Sequence, residues 1–278
     1  MRMKRRLLVV VMTVFGAGGL LAEDYTVSVP EGETWDWSRV ESVCGTATSG
    51  KRLVKEGLGI LAPGADLSAK GFSDLVVNAG VYDATALNQF PAVNATATLT
   101  VVSGATLRYG FSMTQTTTTI NITVGGEGAA GEQGAIVFTV NSPLGAKNGP
   151  NWILTADTVF YAKGSRREVD FSCNGYGPTD QHNLFYMNGH SLRFKAEEVG
   201  THTESGPWFR FRSGPTFIQP GDIIFDHCRL SRYNDGGARV WKSATDRSAG
   251  TIPCIRLVNG ACCNFDSWKQ CEKWPEVG

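Results

Sequence analysis

The sequence predicts an all-β domain whose parallel strands stack as successive coils, the architecture of a β-solenoid or β-helix. Short apolar runs rich in Val, Ile, Thr and Phe recur from Tyr25 to about Leu257, and they are separated by Gly, Asn, Ser and Asp. Strongly helical windows are almost absent from that region. Asn and Gly tolerate positive φ, so short Asn/Ser-and-Gly segments can turn the chain sharply between strands. The turns predicted in this way are Asn78-Ala79-Gly80, Ser103-Gly104, Asn188-Gly189 and Asn259-Gly260.

The spacing of these turns favours coils over hairpins. Val77, Val102 and Val124 each end an apolar run before a turn, and the two intervals between them are similar. Coils of a solenoid repeat in this way, whereas hairpins need not. We therefore expect the three valines to lie in one inward-facing stack. Because the interval drifts further along the chain, an antiparallel β-sandwich is the alternative architecture.

The start of the sequence, residues 1–22, predicts a secretory signal peptide. Residues 1–6 are basic, residues 7–21 are mostly apolar, and Ala22 precedes two acids, Glu23 and Asp24. The apolar run is short for a bilayer, and no later apolar run is long enough for a membrane helix, so no membrane span is expected in the mature chain. We expect an exported protein that is extracellular, surface-bound or periplasmic, with a solenoid domain over residues 23–260 and a Cys- and Trp-rich cap over 261–278.

Charge excludes two classes of partner. The chain has 26 basic and 26 acidic side chains, but Arg2, Lys4, Arg5 and Arg6 belong to the predicted signal peptide, which contains no acid. Without these four the mature chain has 22 basic and 26 acidic groups, a net charge of −4. A mildly acidic chain without a basic run is not expected to bind nucleic acid or an anionic membrane surface.

Two segments share a pattern of turns and strand ends. Lys55-Glu56-Gly57-Leu58-Gly59 leads through residues 60–77 to the Asn78-Ala79-Gly80 turn, and Val102-Ser103-Gly104-Ala105-Thr106-Leu107 forms a second closing half. This pattern resembles the autotransporter-associated β-strand repeat, although Ile60 stands where Thr is usual and Pro63 interrupts the strand. The resemblance implies a right-handed parallel β-helix on the outside of a Gram-negative-type cell. No membrane-barrel pattern is present in this chain, so we expect another protein to export it, or the chain to remain periplasmic.

We expect a structural or adhesin-like function without catalytic activity or cofactor, with surface glycans or other cell-surface proteins as partners. The segment Gly126-Glu127-Gly128-Ala129-Ala130-Gly131 fits the dinucleotide-binding pattern, but a strand and not a helix is predicted to follow it. The four histidines have no metal-ligand spacing among themselves, and no Cys-x-x-Cys occurs, so no metal site is expected.

The alternative function is carbohydrate binding or cleavage on the same scaffold. Alternation predicts that Trp208, Arg210 and Arg212 point outward, where they would contact a sugar ring or an acidic glycan, or would simply be solvated. Asp222 and Asp226 share a strand face but lie about 13 Å apart along it, which is too far for a glycosidase pair. Glu198 and Asp222 would face each other if one coil had the length that separates them in the sequence. The alternative is that all three acids are solvated charges.

Cysteines concentrate near the carboxyl end of the sequence. A helix is predicted over 266–274, where it would cover the last coil and protect its unpaired strand edge. We predict one disulfide from Cys271 to Cys254, Cys262 or Cys263, because an exported chain permits such bonds. The alternative is that these cysteines are reduced and buried as small apolar residues.

Overall fold

The computed structural model describes the following residues, on which all structural statements below rest: 24–46, 52–64, 70–72, 74–85, 98–109, 121–139, 142–143, 151–164, 168–170, 184–197, 208–210, 216–218, 221–231 and 255–264. They form a parallel β-solenoid in which each strand pairs with its counterpart in the next coil. Every strand pair in this part of the chain is parallel, which confirms the predicted solenoid and excludes the antiparallel sandwich.

Strands on the sides of the solenoid form three rows. The first row contains β1 (Asp24–Ser28), β3 (Arg52–Glu56), β5 (Asp74–Val77), β7 (Thr98–Val101), β9 (Asn121–Gly126), the first half of β12 (Asn151–Ala162), β14 (Leu184–Tyr186) and β17 (Thr216–Ile218). The second row contains β2 (Thr34–Trp35), β4 (Ile60–Leu61), β6 (Gly80–Asp83), β8 (Ala105–Tyr109), β10 (Ile136–Phe138), the second half of β12, β15 (Leu192–Ala196), β18 (Ile223–Asp226) and β20 (Ile255–Val258). The third row contains β11 (Ser142–Pro143), β13 (Glu168–Asp170), β16 (Trp208–Arg210), β19 (Arg229–Ser231) and β21 (Cys262–Asn264).

Coil length explains why the spacing in the sequence drifts. In the first row Asp74 pairs with Thr98 and Thr98 pairs with Asn121, so these two early coils are similar in length. Asn121 then pairs with Asn151, and Asn151 pairs with Leu184, so each of the next two coils is longer than the one before it. The third row begins with β11, at the point where the coils lengthen. Among the described residues, the later coils therefore have strands on three sides, whereas the earlier coils have strands on two.

Core side chains grow larger where the coils lengthen. In the first row the stacked inward residues change from Leu99 and Ile122 to Trp152 and Phe185. In the second row Leu107 and Ile136 are followed by a run of phenylalanines, namely Phe160, Phe194 and Phe225. These side chains are at most 2% exposed. Larger rings fill the wider cross-section, because a core must be packed at near-crystalline density without voids.

The predicted valine stack exists, but one of its members was assigned wrongly. Val77 pairs with Val101, and Val101 pairs with Val124, all three with buried side chains. Val102 is instead 40% exposed, and its amide donates to the Val77 carbonyl at 3.0 Å as the chain leaves the strand. The strand therefore ends one residue before the apolar run does. A shift of one residue reverses the face on which a strand side chain lies.

A buried lysine occupies the same column as these valines. Lys55 lies between Val27 and Val77 in the pairing register and is 0% exposed. Its Nζ donates to the carbonyls of Gly57 at 2.5 Å, Gly59 at 2.7 Å and Ala79 at 2.7 Å. All three donors of the ammonium are thereby satisfied inside the corner of the solenoid.

Burial makes the charged form of this lysine costly. It lowers the pKa of Lys55 from 10.5 to about 8, although the Glu56 carboxylate acts in the opposite direction.

The fold requires glycine at both glycine positions of the Lys-x-Gly-x-Gly segment. A Cβ on Gly57 would lie 2.2 Å from the Val29 carbonyl oxygen, and one on Gly59 would lie 2.1 Å from the Pro30 carbonyl oxygen. Only glycine permits the two corner backbones to approach this closely.

One helix, α1 (Trp37–Cys44), follows β2 and was not predicted from the sequence. Asp36 caps its amino end by accepting the Arg39 amide at 2.8 Å. Trp37 packs edge-on against Phe72, with ring centroids 5.7 Å apart. The described part of the chain contains no helix that is long and apolar enough to cross a membrane. The predicted signal peptide and the predicted helix over 266–274 lie outside the described residues.

Candidate functional site

A shallow, open groove runs along the corner between the first and second rows of strands. Its volume is about 620 Å³, and it crosses four successive coils, from the turn after β7 to the turn after β14. Hydroxyl, carboxylate and imidazole groups line it together with small residues. The lining residues are Ser103, Gly104, Gly126, Glu127, Gly128, Thr155, Ala156, Asp157 and His190.

One wall of the groove is a loop inserted into the corner after β9. The corner after β7 is made by residues 102–104 alone, whereas residues 127–135 connect β9 to β10. The buried Thr106 hydroxyl holds this loop, because it donates to the Gly134 carbonyl at 2.9 Å and accepts the Ala129 amide at 2.9 Å. Strand β10 and not a helix follows Gly126-Glu127-Gly128, as predicted, so this segment has no helix amino end of the kind that holds a pyrophosphate.

Charged groups fasten the same loop to the outer face of the second row. Arg108 donates to Glu132 at 2.7 Å and to Asp83 at 2.9 Å, which links the loop to two earlier coils. Burial alone would lower the pKa of Arg108, but its hydrogen bonds with Glu132 and Asp83 raise it overall. Lys195 adds a bond to Gln133 at 3.2 Å from a later coil. The loop that forms this wall is therefore bound to an earlier coil through Arg108 and to a later coil through Lys195.

A break in strand register shapes the opposite side of the groove. Leu154 pairs with Val124 and Thr158 pairs with Gly126, so residues 155–157 face a single residue, Gly125. Such bulges redirect side chains and are enriched beside binding and active sites. Here the bulge presents Asp157, whose side chain is 77% exposed.

Backbone contacts fix the direction of that carboxylate. Asp157 Oδ1 accepts the Ser191 amide at 2.8 Å and lies 4.0 Å from Nδ1 of His190. On the floor, Gly126 has φ +93°, and a Cβ there would lie 2.6 Å from the Ser103 hydroxyl oxygen. Gly126 is itself buried, so the absence of a side chain there lets the Ser103 turn pack closely against it.

The pairing of Glu198 with Asp222, predicted for the enzymatic alternative, stays a prediction. Leu192 pairs with Ile223, so the coil at this point is longer than the stretch from Glu198 to Asp222. Glu198 itself lies outside the described residues. Asp222 is bound to Arg256 at 2.9 Å, and its side chain is 31% exposed.

One alternative in the sequence analysis was that Asp226 is a solvated surface charge, and for Asp226 this alternative is wrong. It is only 4% exposed and accepts hydrogen bonds from Arg193 at 2.9 Å and from the Asn259 amide nitrogen at 2.6 Å. The three residues belong to three successive coils, so Asp226 joins them. Its burial follows from these two partners, because a buried carboxylate needs compensating donors.

The predicted ligand residues Trp208 and Arg210 lie on β16, in the third row, away from the corner that forms the groove. Between them Phe209 is buried, as the alternation predicts. The side chains of its two neighbours and all of Arg212 lie outside the described residues, so their contact with a glycan stays a prediction.

The predicted disulfide also stays a prediction. Cys262 and Cys263 lie on β21, while Cys254 and Cys271 lie beyond the described residues. Elsewhere, the thiol of Cys228 is buried and donates to the Phe194 carbonyl at 3.2 Å.

Sequence analysis missed the groove because its polar residues come from four different coils. Glu127 was noticed only within the glycine pattern, and Asp157 and His190 lie in separate corners. The sequence does contain one signal of the groove: the Gly-rich interval between β9 and β10 is long, which indicates an insertion at this corner. Among the described residues, no three His, Cys, Asp or Glu side chains are placed to hold a metal ion.

Comparison with known proteins adds no relative: no protein-family model matches the chain, and neither the curated proteins nor the solved structures give a match.

Proposed function

We propose that the protein is an exported structural or adhesin-like β-solenoid at the cell surface, without catalytic activity. The observation that carries the proposal is the use of charged side chains to join successive coils. Arg52 binds Asp24 through two hydrogen bonds of 2.8 Å, and Arg193 binds Asp226 at 2.9 Å. Such pairs join the outer faces of neighbouring coils, which suits a scaffold that presents a surface.

The dimensions of the solenoid support the same proposal. The described strands belong to nine coils, which at a strand spacing of about 4.8 Å give a stack roughly 40 Å long. Parallel solenoids of this kind provide extended surfaces for partners. The basic and apolar start of the sequence, which is typical of a secretory signal peptide, supports export of the stack.

Carbohydrate binding is the second candidate function, and the corner groove is the observation that favours it. The groove brings carboxylate and hydroxyl groups together, and such groups commonly hold sugar hydroxyls in a binding site. The described lining residues include no aromatic side chain. The groove is therefore a site for contact with a glycan through hydrogen bonds.

Export and surface exposure are tested in Gram-negative cells that express the full chain, with a variant lacking residues 2–22 as the control. We expect the amino terminus of the recovered protein at Glu23, antibody labelling of intact cells, and adhesion of these cells to a glycan-bearing or protein-coated surface. The control should remain inside the cell. Recovery of an intact Met1 together with unlabelled, non-adherent cells would contradict the proposal.

A further inference from the structure

We infer that the corner groove binds a neutral oligosaccharide whose chain lies along the solenoid axis. This inference rests on the adhesive function proposed above and names the chemistry of its ligand. It depends on three observations: the polar groups are spaced coil by coil, the walls are fixed by hydrogen bonds, and the carboxylates of the groove have no cationic partner lining it other than a histidine.

The spacing of the polar groups matches an elongated ligand. Ser103, Glu127, Asp157 and His190 come from four successive coils and follow one corner of the stack. Neighbouring coils are about 4.8 Å apart, so the four residues span roughly 14 Å. A short oligosaccharide has this length and offers a hydroxyl-bearing ring to each successive coil. A compact ligand would contact only one or two of the four.

The Asp157 carboxylate and the backbone of the loop that carries Glu127 are held in place before a ligand arrives. The Ser191 amide holds Asp157 at 2.8 Å, while Thr106, Arg108 and Lys195 hold the loop that carries Glu127. Pre-organised groups lose little conformational entropy on binding. Carboxylates accept hydrogen bonds from pairs of sugar hydroxyls, and the hydroxyl groups of the groove both donate and accept.

The acidic side chains of the groove favour neutral sugars over anionic ones. Glu127 and Asp157 are both acids, and His190 is the one lining side chain among the described residues that could carry a positive charge. An anionic glycan, such as a uronic acid chain, would meet like charges and lose affinity. A neutral glycan meets no such repulsion and keeps its affinity. Its hydroxyl groups donate hydrogen bonds to both carboxylates.

The test uses the mature chain, residues 23–278, titrated with a panel of neutral trisaccharides of glucose, galactose and mannose, followed by ligand-observed NMR. Trigalacturonate serves as the anionic probe. We expect at least one neutral trisaccharide to bind, and trigalacturonate to bind at least tenfold more weakly. The inference is overturned if no neutral trisaccharide binds, or if trigalacturonate binds as well as the best neutral sugar.

Matched variants place the binding at the groove. Glu127→Gln with Asp157→Asn removes both charges but keeps an oxygen that can accept the Ser191 amide, and Glu31→Gln alters an exposed acid in the equivalent corner of the first coil. We expect the double variant to lose at least tenfold in affinity and Glu31→Gln to bind like the original chain. Equal affinity of all three proteins would overturn the inference. Cells that adhere normally although the purified chain binds no sugar would refute the groove and leave the adhesive function standing.

Discussion

Lys55 Nζ donates a hydrogen bond of 2.7 Å to the carbonyl oxygen of Ala79, across the boundary between two coils. Its other two bonds go to Gly57 and Gly59, in the corner that follows its own strand. A cation therefore stands in a column otherwise formed by valines, and it joins two successive corners. This arrangement gives the Lys-x-Gly-x-Gly segment a physical meaning, because the lysine needs the carbonyls and the glycines allow the corners to approach.

The lowered pKa of Lys55 predicts that stability increases with pH. The folded chain releases this proton near pH 8, whereas the unfolded chain keeps it until about pH 10.5. The unfolded state therefore binds more protons in that window, and the free energy of unfolding rises as the pH rises from 8 to 10.5. We expect a gain on the order of 2 kcal/mol over this range.

Urea unfolding of the original chain and of Lys55→Met at pH 7.5, 8.5 and 9.5 measures this effect. Taking the difference between the two proteins cancels the contribution of Cys44, whose pKa burial raises, because it is present in both. Tyr25, whose pKa burial raises to about 12, cancels for the same reason. A difference that stays constant across the three pH values would show that burial does not lower the pKa of Lys55.

Two glycine substitutions separate backbone strain from close approach. Gly57 and Gly104 both have positive φ, at +75° and +87°, so alanine strains the backbone at either position. Only Gly57 has a neighbour, the Val29 carbonyl oxygen, within reach of a Cβ. We expect Gly104→Ala to cost about 1 kcal/mol of unfolding free energy. Gly57→Ala should cost at least about 2 kcal/mol more, because the clash adds to the strain. Equal losses in thermal unfolding would contradict the corner contact.

Two adjacent valines test the register of the first row. Val101 is 1% exposed and Val102 is 40% exposed. Val101→Asp forces an unpaired charge into the core and should cost at least about 3 kcal/mol. Val102→Asp should change the unfolding free energy by less than about 0.5 kcal/mol. If Val102→Asp were the more damaging change, the strand would lie in the opposite register.

The sequence was sufficient for the architecture but not for the residue-level register. Turn chemistry and the rough repeat favoured coils but left an antiparallel sandwich open, because Asn and Gly corners and Val-rich runs are local features that both architectures use. The face of Val102 could not be predicted, since the strand end depends on a hydrogen bond to Val77 in the preceding coil. Sequence patterns also missed α1, although Asp36 provides a cap signal, because the segment is short and surrounded by strand-like residues.

The candidate site was less predictable than the fold, for a physical reason. The coils lengthen between Asn121 and Asn151, and a single assumed period misaligns every residue beyond that point. The coil that joins Leu192 to Ile223, for example, is longer than the separation of Glu198 and Asp222 that the sequence analysis took as one coil. Asp226 and its two partners were equally hidden, because they meet only after three coils have stacked.

The stacking of coils is the claim on which the groove, the lysine site and the proposed function all depend, and a disulfide cross-link tests it most directly. Thr100 pairs with Thr123 on the partly exposed outer face of the first row, about 4.8 Å away, within the roughly 7 Å that a disulfide can span. Val76 pairs with Thr100, so it lies two coils from Thr123, about 9.6 Å away.

Peptide mapping without reduction is carried out on two oxidised double variants, one with Thr100→Cys and Thr123→Cys and one with Val76→Cys and Thr123→Cys. The stacked register predicts a bridge between the two introduced residues in the first protein and none between those in the second. A bridge in the second protein, or its absence in a folded first protein, would contradict the parallel solenoid.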